Sequence, residues 1–212
     1  MIGRSILLLG LAILALARIG AADLPEITDE ALVDGLLAGG YNIYFRHVAT
    51  DWSQSDEVRK AGDWLNCDPV RMRQLSDSGR ANARAIGKAM RELKIPVGEV
   101  LASPYCRTVE TARLMDLGKV TLSTDVMNLR ASRYFGGRAA IVASTRKLLA
   151  TPPAPGTNRV IVAHGNAARE ATLVYPGEGE GIVFQPDGNG GFQVIARMPP
   201  DRWAQLLAGF AD

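Results

Sequence analysis

The stretch RVIVAHGN, Arg159–Asn166, is the most strand-like run in the chain, and it delivers a histidine into a glycine. Val160, Ile161, Val162 and Ala163 follow one another with no polar residue between them, the pattern of a strand buried on both faces. Such strands belong to parallel sheets covered by helices on each side. YNIYF, Tyr41–Phe45, is β-branched and aromatic and runs in the same way into Arg46-His47. A third short run, EVLAS (Glu99–Ser103), is followed by Pro104 and a helical segment that carries Arg107.

Outward from these strands the periodicity turns helical. Thr28 is placed to cap a helix with Asp29 and Glu30 in its first turn and Leu32, Val33, Leu36 and Leu37 as its apolar stripe, ended by Gly39-Gly40. Residues 48–75 read as a long polar loop with a little helix. Ser76 or Asp77 caps the next helix, running to about Leu93 with Ala85, Ile86, Ala89, Met90 and Leu93 on one side. Further helices are expected up to Met115, over 138–150, after His164-Gly165 up to Tyr175, and in a short piece from Asp201. A weak strand is expected at 120–122, and a hairpin from 181–184 and 192–198 around Pro-Asp-Gly-Asn-Gly. Strands alternating with helices predict an α/β three-layer sandwich: a mostly parallel sheet with helices on both faces.

The 212 residues are 47% apolar and 22% charged, enough for one hydrophobic core and incompatible with wholesale disorder. Arg4, the 12-residue run Ile6–Ala17 and the small residues Gly20, Ala21 and Ala22 read as a secretory signal peptide over residues 1–22. The run is shorter than the ~20 residues that span a bilayer. Residues 23–212 then form a single domain, exported to the periplasm or the medium, with no stable membrane association after cleavage. Removing 1–22 takes away Arg4 and Arg18 and no acid, which leaves 22 basic against 22 acidic side chains. That balance gives no footprint for nucleic acid. In an oxidising compartment the only two thiols, Cys67 and Cys106, are expected to form a disulfide.

Both histidines of the chain, His47 and His164, stand directly after predicted strands, where ligands bind in open α/β sheets. Arg46 and Arg107 belong to the same rim. Guanidinium forks bind tetrahedral oxyanions by paired charge-assisted hydrogen bonds, and a neutral imidazole is a competent nucleophile towards phosphorus. Two histidines without a cysteine pair or acidic cluster do not complete a metal site, so no metal or other cofactor is expected.

Arg46-His47, LSDSGRANA (Leu75–Ala83), SPYCRTVETA (Ser103–Ala112) and VIVAHGN (Val160–Asn166) together resemble the four signatures of the histidine phosphatase superfamily, which includes the cofactor-dependent phosphoglycerate mutases. The resemblance implies a phosphoglycerate mutase-like fold and a phosphomonoester hydrolase. His47 would be the phosphorylated nucleophile, and Arg46, Arg107 and a protonated His164 would complete the phosphate pocket. The substrate would be a small molecule or a phospho-residue. His47 must be neutral at its attacking nitrogen, so its other nitrogen is expected to donate to a backbone carbonyl.

The sequence departs from that family at two places. Val48 stands where the family usually has glycine, and Arg130 where many members carry a general-acid glutamate. Asp51, four residues past His47, is the first substitute for that acid, with Glu110 and Glu180 behind it. Without an acid, substrates with good leaving groups would be favoured. Two other outcomes stay open on the same scaffold: a phospho-ligand binding protein without turnover, and a phosphomutase. Cys67–Arg73 also fits a Cys-x5-Arg phosphatase loop, but Asp68 would repel phosphate there and Pro69 lacks a donor.

Overall fold

The computed structural model describes residues 27–210; the expected leader over 1–22 lies outside them. Six strands form one sheet in the order β3-β2-β4-β1-β5-β6, namely β1 (Asn42–Arg46), β2 (Val97–Ala102), β3 (Val120–Leu122), β4 (Asn158–Ala163), β5 (Gly181–Pro186) and β6 (Phe192–Met198). The RVIVA run lies in β4, which is buried along its whole length and pairs in parallel with β1 on one side and β2 on the other. Only β5 runs against the rest, antiparallel to both β1 and β6. The sheet is therefore mixed and mostly parallel.

Alternation along the strands divides the core into two layers. Ile43, Phe45, Val160 and Val162 pack with α1 (Asp29–Ala38), α2 (Asp77–Glu92), α3 (Cys106–Met115) and α6 (Pro200–Phe210), where Trp203 is fully buried against Phe45. Tyr44, Ile161 and Ala163 point the other way, onto Leu149 of α4 (Arg138–Ala150) and Ala168 of α5 (Gly165–Thr172). This is the expected three-layer α/β sandwich. Among the described residues no helix is long and apolar enough to cross a membrane.

Some local expectations need correction. Leu37 is 41% exposed, because the buried stripe of α1 is only Leu32, Val33 and Leu36 wide. Ala85 faces solvent, and Ala83 and Gly87 take the core side of α2 with Ile86, Ala89 and Met90. The helix after His164 stops at Thr172 rather than Tyr175. Leu173 adopts a left-handed conformation (φ 66°), and Pro176 bars any return to helix. The last helix, α6, is a full 11 residues and begins at Pro200.

The segment LSDSG makes a joint as well as a helix start. Ser76 Oγ accepts from Gly79 N at 3.1 Å, while Ser76 N donates to the Ala49 carbonyl at 3.0 Å. A Cβ on Gly79 would overlap that same carbonyl. The first turn of α2 thus rests on the backbone two residues past His47. Cys67 and Cys106 are bonded to each other, with Cα atoms 5.5 Å apart, and fasten the long loop to the first residue of α3.

Helix propensity alone favours Gly79→Ala by about 1 kcal/mol. Overlap with the Ala49 backbone costs about 1–3 kcal/mol, so the substitution is expected to lower the urea midpoint. A higher midpoint would mean that α2 does not rest on Ala49.

Candidate active site

The register of the central strands builds the site. Arg46 pairs with Ala163 in the parallel β1–β4 ladder, so the next residue of each strand, His47 and His164, emerges side by side. His47 N continues the ladder onto the Ala163 carbonyl at 3.0 Å. The two rings meet edge to face, with centroids 5.8 Å apart. Ser103 leaves the end of β2 alongside them, its N–H bound to the Val162 carbonyl at 3.0 Å. Three neighbouring strand ends thus deliver His47, His164 and Ser103 to one point, and α3 brings Arg107 to it.

His47 Nδ1 lies 3.0 Å from the Val48 carbonyl oxygen. That acceptor requires the proton on Nδ1 and leaves the lone pair on Nε2. Val48, in the position usual for glycine, therefore serves through its backbone. The imidazole pKa is held well below its ordinary value, first by burial and then by the charges of Arg107, Arg46 and Arg73.

His164 is fixed from both sides. Asn128 Oδ1 accepts from Arg130 N at 3.0 Å and from Asn166 Nδ2 at 2.8 Å, which turns the Asn128 amide nitrogen towards His164 Nδ1, 3.2 Å away. Nδ1 is then an acceptor, so the proton sits on Nε2 and is donated to Ser103 Oγ at 3.0 Å. Burial first, then chiefly the charge of Arg107, with Arg46 and Arg73 adding to it, hold its pKa well below the ordinary value. The expectation of a protonated His164 is corrected here: the network leaves Nδ1 no proton, and the surroundings are already cationic.

A cavity of about 170 Å³ opens onto this pair, lined among others by His47, His164, Arg46, Arg73, Arg130 and Asp56. Both arginines expected from the sequence are tied to carboxylates. Arg46 Nη2 reaches Glu178 Oε1 at 3.4 Å, and Glu178 also accepts from Thr50 Oγ1 at 2.8 Å. Arg107 grips Asp56 with both prongs, Nη1 to Oδ1 at 2.8 Å and Nη2 to Oδ2 at 3.0 Å, with both side chains buried. Arg107 itself is 1% exposed, so the cavity meets the Asp56 carboxylate in front of it. Arg73 lies 4.0 Å over the Trp52 ring. Among the described residues Arg73 Nε, Arg107 Nε and the Tyr105 hydroxyl are buried donors without a protein acceptor, and Tyr105 packs edge-on against His164 at 4.7 Å. The site is rich in cations and in hydrogen-bond donors, the chemistry that holds a phosphoryl group.

None of the three acids expected from sequence lines this cavity. Asp51 accepts from Ser53 N, Ser53 Oγ and Gln54 Nε2 at 2.9, 2.7 and 3.1 Å, which lowers its pKa, and it faces a neighbouring cleft of about 1230 Å³. Glu110 faces the same cleft and is paired with Arg80 at 2.7 Å. Glu180 is bound by Arg197 at 2.7 Å and by Gly177 N at 2.6 Å. Its burial acts to raise its pKa, but these donors outweigh burial and lower it. Arg46 N donates to the Glu180 carbonyl, so Glu180 supports the site from behind. Cys67, bonded to Cys106, has no thiolate to offer a Cys-x5-Arg loop. Among the described residues no group of three His, Cys, Asp or Glu could hold a metal ion.

Sequence reasoning missed Asp56, Glu178, Arg73, Asn128 and the role of Ser103. The length of loop 48–75 was the one signal that pointed towards Asp56, and Arg73 was met only as the end of the Cys-x5-Arg spacing.

The family model of the histidine phosphatase superfamily (branch 1) matches residues 43–133. No curated protein matches the sequence. Among solved structures, a phosphoserine phosphatase mutant from Entamoeba histolytica is similar over 76% of this chain and 98% of its own, with 12% identity and a TM-score of 0.53. A mycobacterial glucosyl-3-phosphoglycerate phosphatase is similar over 73% and 96%, with 15% identity and a TM-score of 0.50. At these identities the likeness is one of fold.

Both imidazoles being neutral in the folded chain has a consequence for stability. Above about pH 6.5 they are neutral in the unfolded chain too. Below that value the unfolded chain takes up protons that the folded one refuses. Stability is therefore expected to fall as pH drops from 6.5 towards 5, by up to about 1.4 kcal/mol per pH unit for each ring. Urea midpoints across that range check this, and His164→Asn should flatten the slope; a midpoint unchanged from pH 7 to 5 would contradict neutral rings.

Proposed function

We propose that this chain is a member of the histidine phosphatase superfamily, whose family model matches residues 43–133, and that it hydrolyses phosphomonoesters through a covalent phosphohistidine on His47. The observation that carries the reading is the Val48 carbonyl fixing the Nδ1–H tautomer of a buried imidazole ringed by guanidinium groups. A nucleophile towards phosphorus needs its lone pair free, and here that lone pair is on Nε2 without deprotonation at neutral pH.

In the first step Nε2 of His47 attacks phosphorus, the N–P bond forms and the ester P–O bond breaks. Water then attacks the phosphohistidine and releases orthophosphate. Arg46 and Arg73 neutralise the equatorial oxygens, and Arg107 joins them once it exchanges Asp56 for the phosphoryl group. Positioned charge of this kind supplies most of the rate in phosphoryl transfer. His164 stays neutral and holds its ring edge-on to His47 through Ser103 and Asn128.

The substrate on this reading is a small phosphomonoester or an exposed phospho-residue. We place the protein outside the cytoplasm, on the leader-like residues 1–22 and the Cys67–Cys106 bond. A second reading, phospho-ligand binding without turnover, is favoured by one observation: Arg107 is already occupied by Asp56.

Incubation with p-nitrophenyl phosphate separates these readings. Turnover, an acid-labile and alkali-stable phosphoenzyme mapped to His47, and a loss of at least about 10³-fold in kcat/KM in His47→Ala are expected. Turnover surviving that substitution would refute the mechanism, and binding with neither turnover nor phosphoenzyme would establish the second reading.

A further inference from the structure

The reaction releases an alkoxide unless something protonates it, and the position where many members of the family keep that acid holds Arg130. Among the described residues that line the cavity, one carboxylate is present: Asp56. It comes from the long loop, and Asp56 Oδ1 also accepts from Arg73 N at 3.2 Å, which sets it between two arginines of the site. The cavity, about 170 Å³, is smaller than the roughly 300–1000 Å³ of pockets that bury drug-sized ligands. A phosphoryl group seated against His47 therefore lies next to Asp56.

Both oxygens of Asp56 accept from Arg107 in this arrangement, so as it stands the residue has no proton to give. Substrate changes that. A phosphoryl dianion outbids a monoanionic carboxylate for a guanidinium fork, and two anions crowded into one pocket favour proton uptake by one of them. The other charged or titratable groups around Asp56 are the guanidinium groups of Arg46, Arg73, Arg107 and Arg130, the Tyr105 hydroxyl, which burial holds protonated, and two imidazoles already neutral.

Resting on the phosphatase reading, we infer that Asp56 is the general acid of the site and is armed by substrate: the phosphoryl group takes Arg107 from it, and the released carboxyl group carries the proton to the leaving oxygen. In the first step the N–P bond to His47 forms, the P–O bond breaks and the Asp56 proton moves to the departing oxygen, giving an alcohol, phosphohistidine and Asp56 carboxylate. In the second, water attacks phosphorus, its proton goes to Asp56 and the N–P bond breaks, giving hydrogen phosphate and neutral His47. Asp56 ends protonated, so solvent supplies only the first proton. Glu178 does not fill this role, because it lines the neighbouring cleft and not this cavity, and Thr50 Oγ1, the Trp52 ring N–H and Arg46 all donate to it.

The test compares two leaving groups: p-nitrophenyl phosphate, whose phenolate needs little protonation, and glycerol 2-phosphate, whose alkoxide needs a full proton. Asp56→Asn is expected to cut kcat/KM for the glycerol ester by at least about 10²-fold and for the aryl ester by less than about tenfold. Equal loss on both would make Asp56 only a holder of Arg107, and a gain on both would make it only a competitor of substrate; either overturns the proposal. Should Asp56→Asn not fold, the wild-type protein still decides. The ratio of glycerol-ester to aryl-ester kcat/KM must fall on the alkaline side, and parallel profiles overturn the inference. Absence of aryl phosphate turnover in the wild type would instead be a failure of the phosphatase reading itself.

Discussion

The pairing of Arg46 with Ala163 is the constraint on which the site depends. Side chains along a strand alternate between the two faces of the sheet, so a slip of one residue would send each to the opposite face. Tyr44 and Ile161 would then trade layers with Phe45 and Val162, and the core would have to be rebuilt. The packing that fixes the register is therefore what brings His47 and His164 to adjacent strand ends. The Tyr44 hydroxyl strengthens the same point, donating to the His164 carbonyl at 2.9 Å and accepting from its N–H at 3.1 Å.

Around that pair the protein holds several guanidinium groups at close quarters without protonating either imidazole. Each added cation makes a charged imidazole less favourable, so the arginines that would bind phosphate also keep the proposed nucleophile neutral. Mutual repulsion among the arginines is limited by Glu178 on Arg46 and Asp56 on Arg107. Breaking a buried pair by deleting one partner costs about 3–5 kcal/mol, because the other charge is left unpaired. Replacing one anion with another avoids that cost. A phosphoryl group can thus enter by exchange.

The fold and the imidazole pair were legible because their signals are local and repeat with a known period. RVIVA reads as a buried strand from its own residues, and a histidine that follows a strand stands at the ligand edge of the sheet by geometry alone. The misreadings share a cause. Leu37 and Ala85 lie at the margins of their helical stripes, where the width of the neighbouring layer decides burial. Asp51 is close to His47 in sequence, but Ser53 and Gln54 capture it in a local turn and it faces the other cleft. Asp56 meets Arg107 across 51 positions of chain. No periodicity reports on such a contact.

The loop that carries Asp56 is anchored unevenly, and this bears on how such an exchange can occur. At one end the isolated bridge between Thr50 and Leu75, with the Ser76 bond to Ala49, clamps it to the start of α2. Further along, the Cys67–Cys106 bond clamps it to the start of α3, beside Arg107. Asp56 lies between those clamps, within a run of polar residues with no regular secondary structure. Fixed flanks keep the carboxylate near the cavity, while residues 52–58 belong to no helix or strand, so the side chain can give way without breaking a helix or sheet hydrogen bond. A carboxylate on a strand end could not withdraw from Arg107 without disturbing the sheet; on this loop it can.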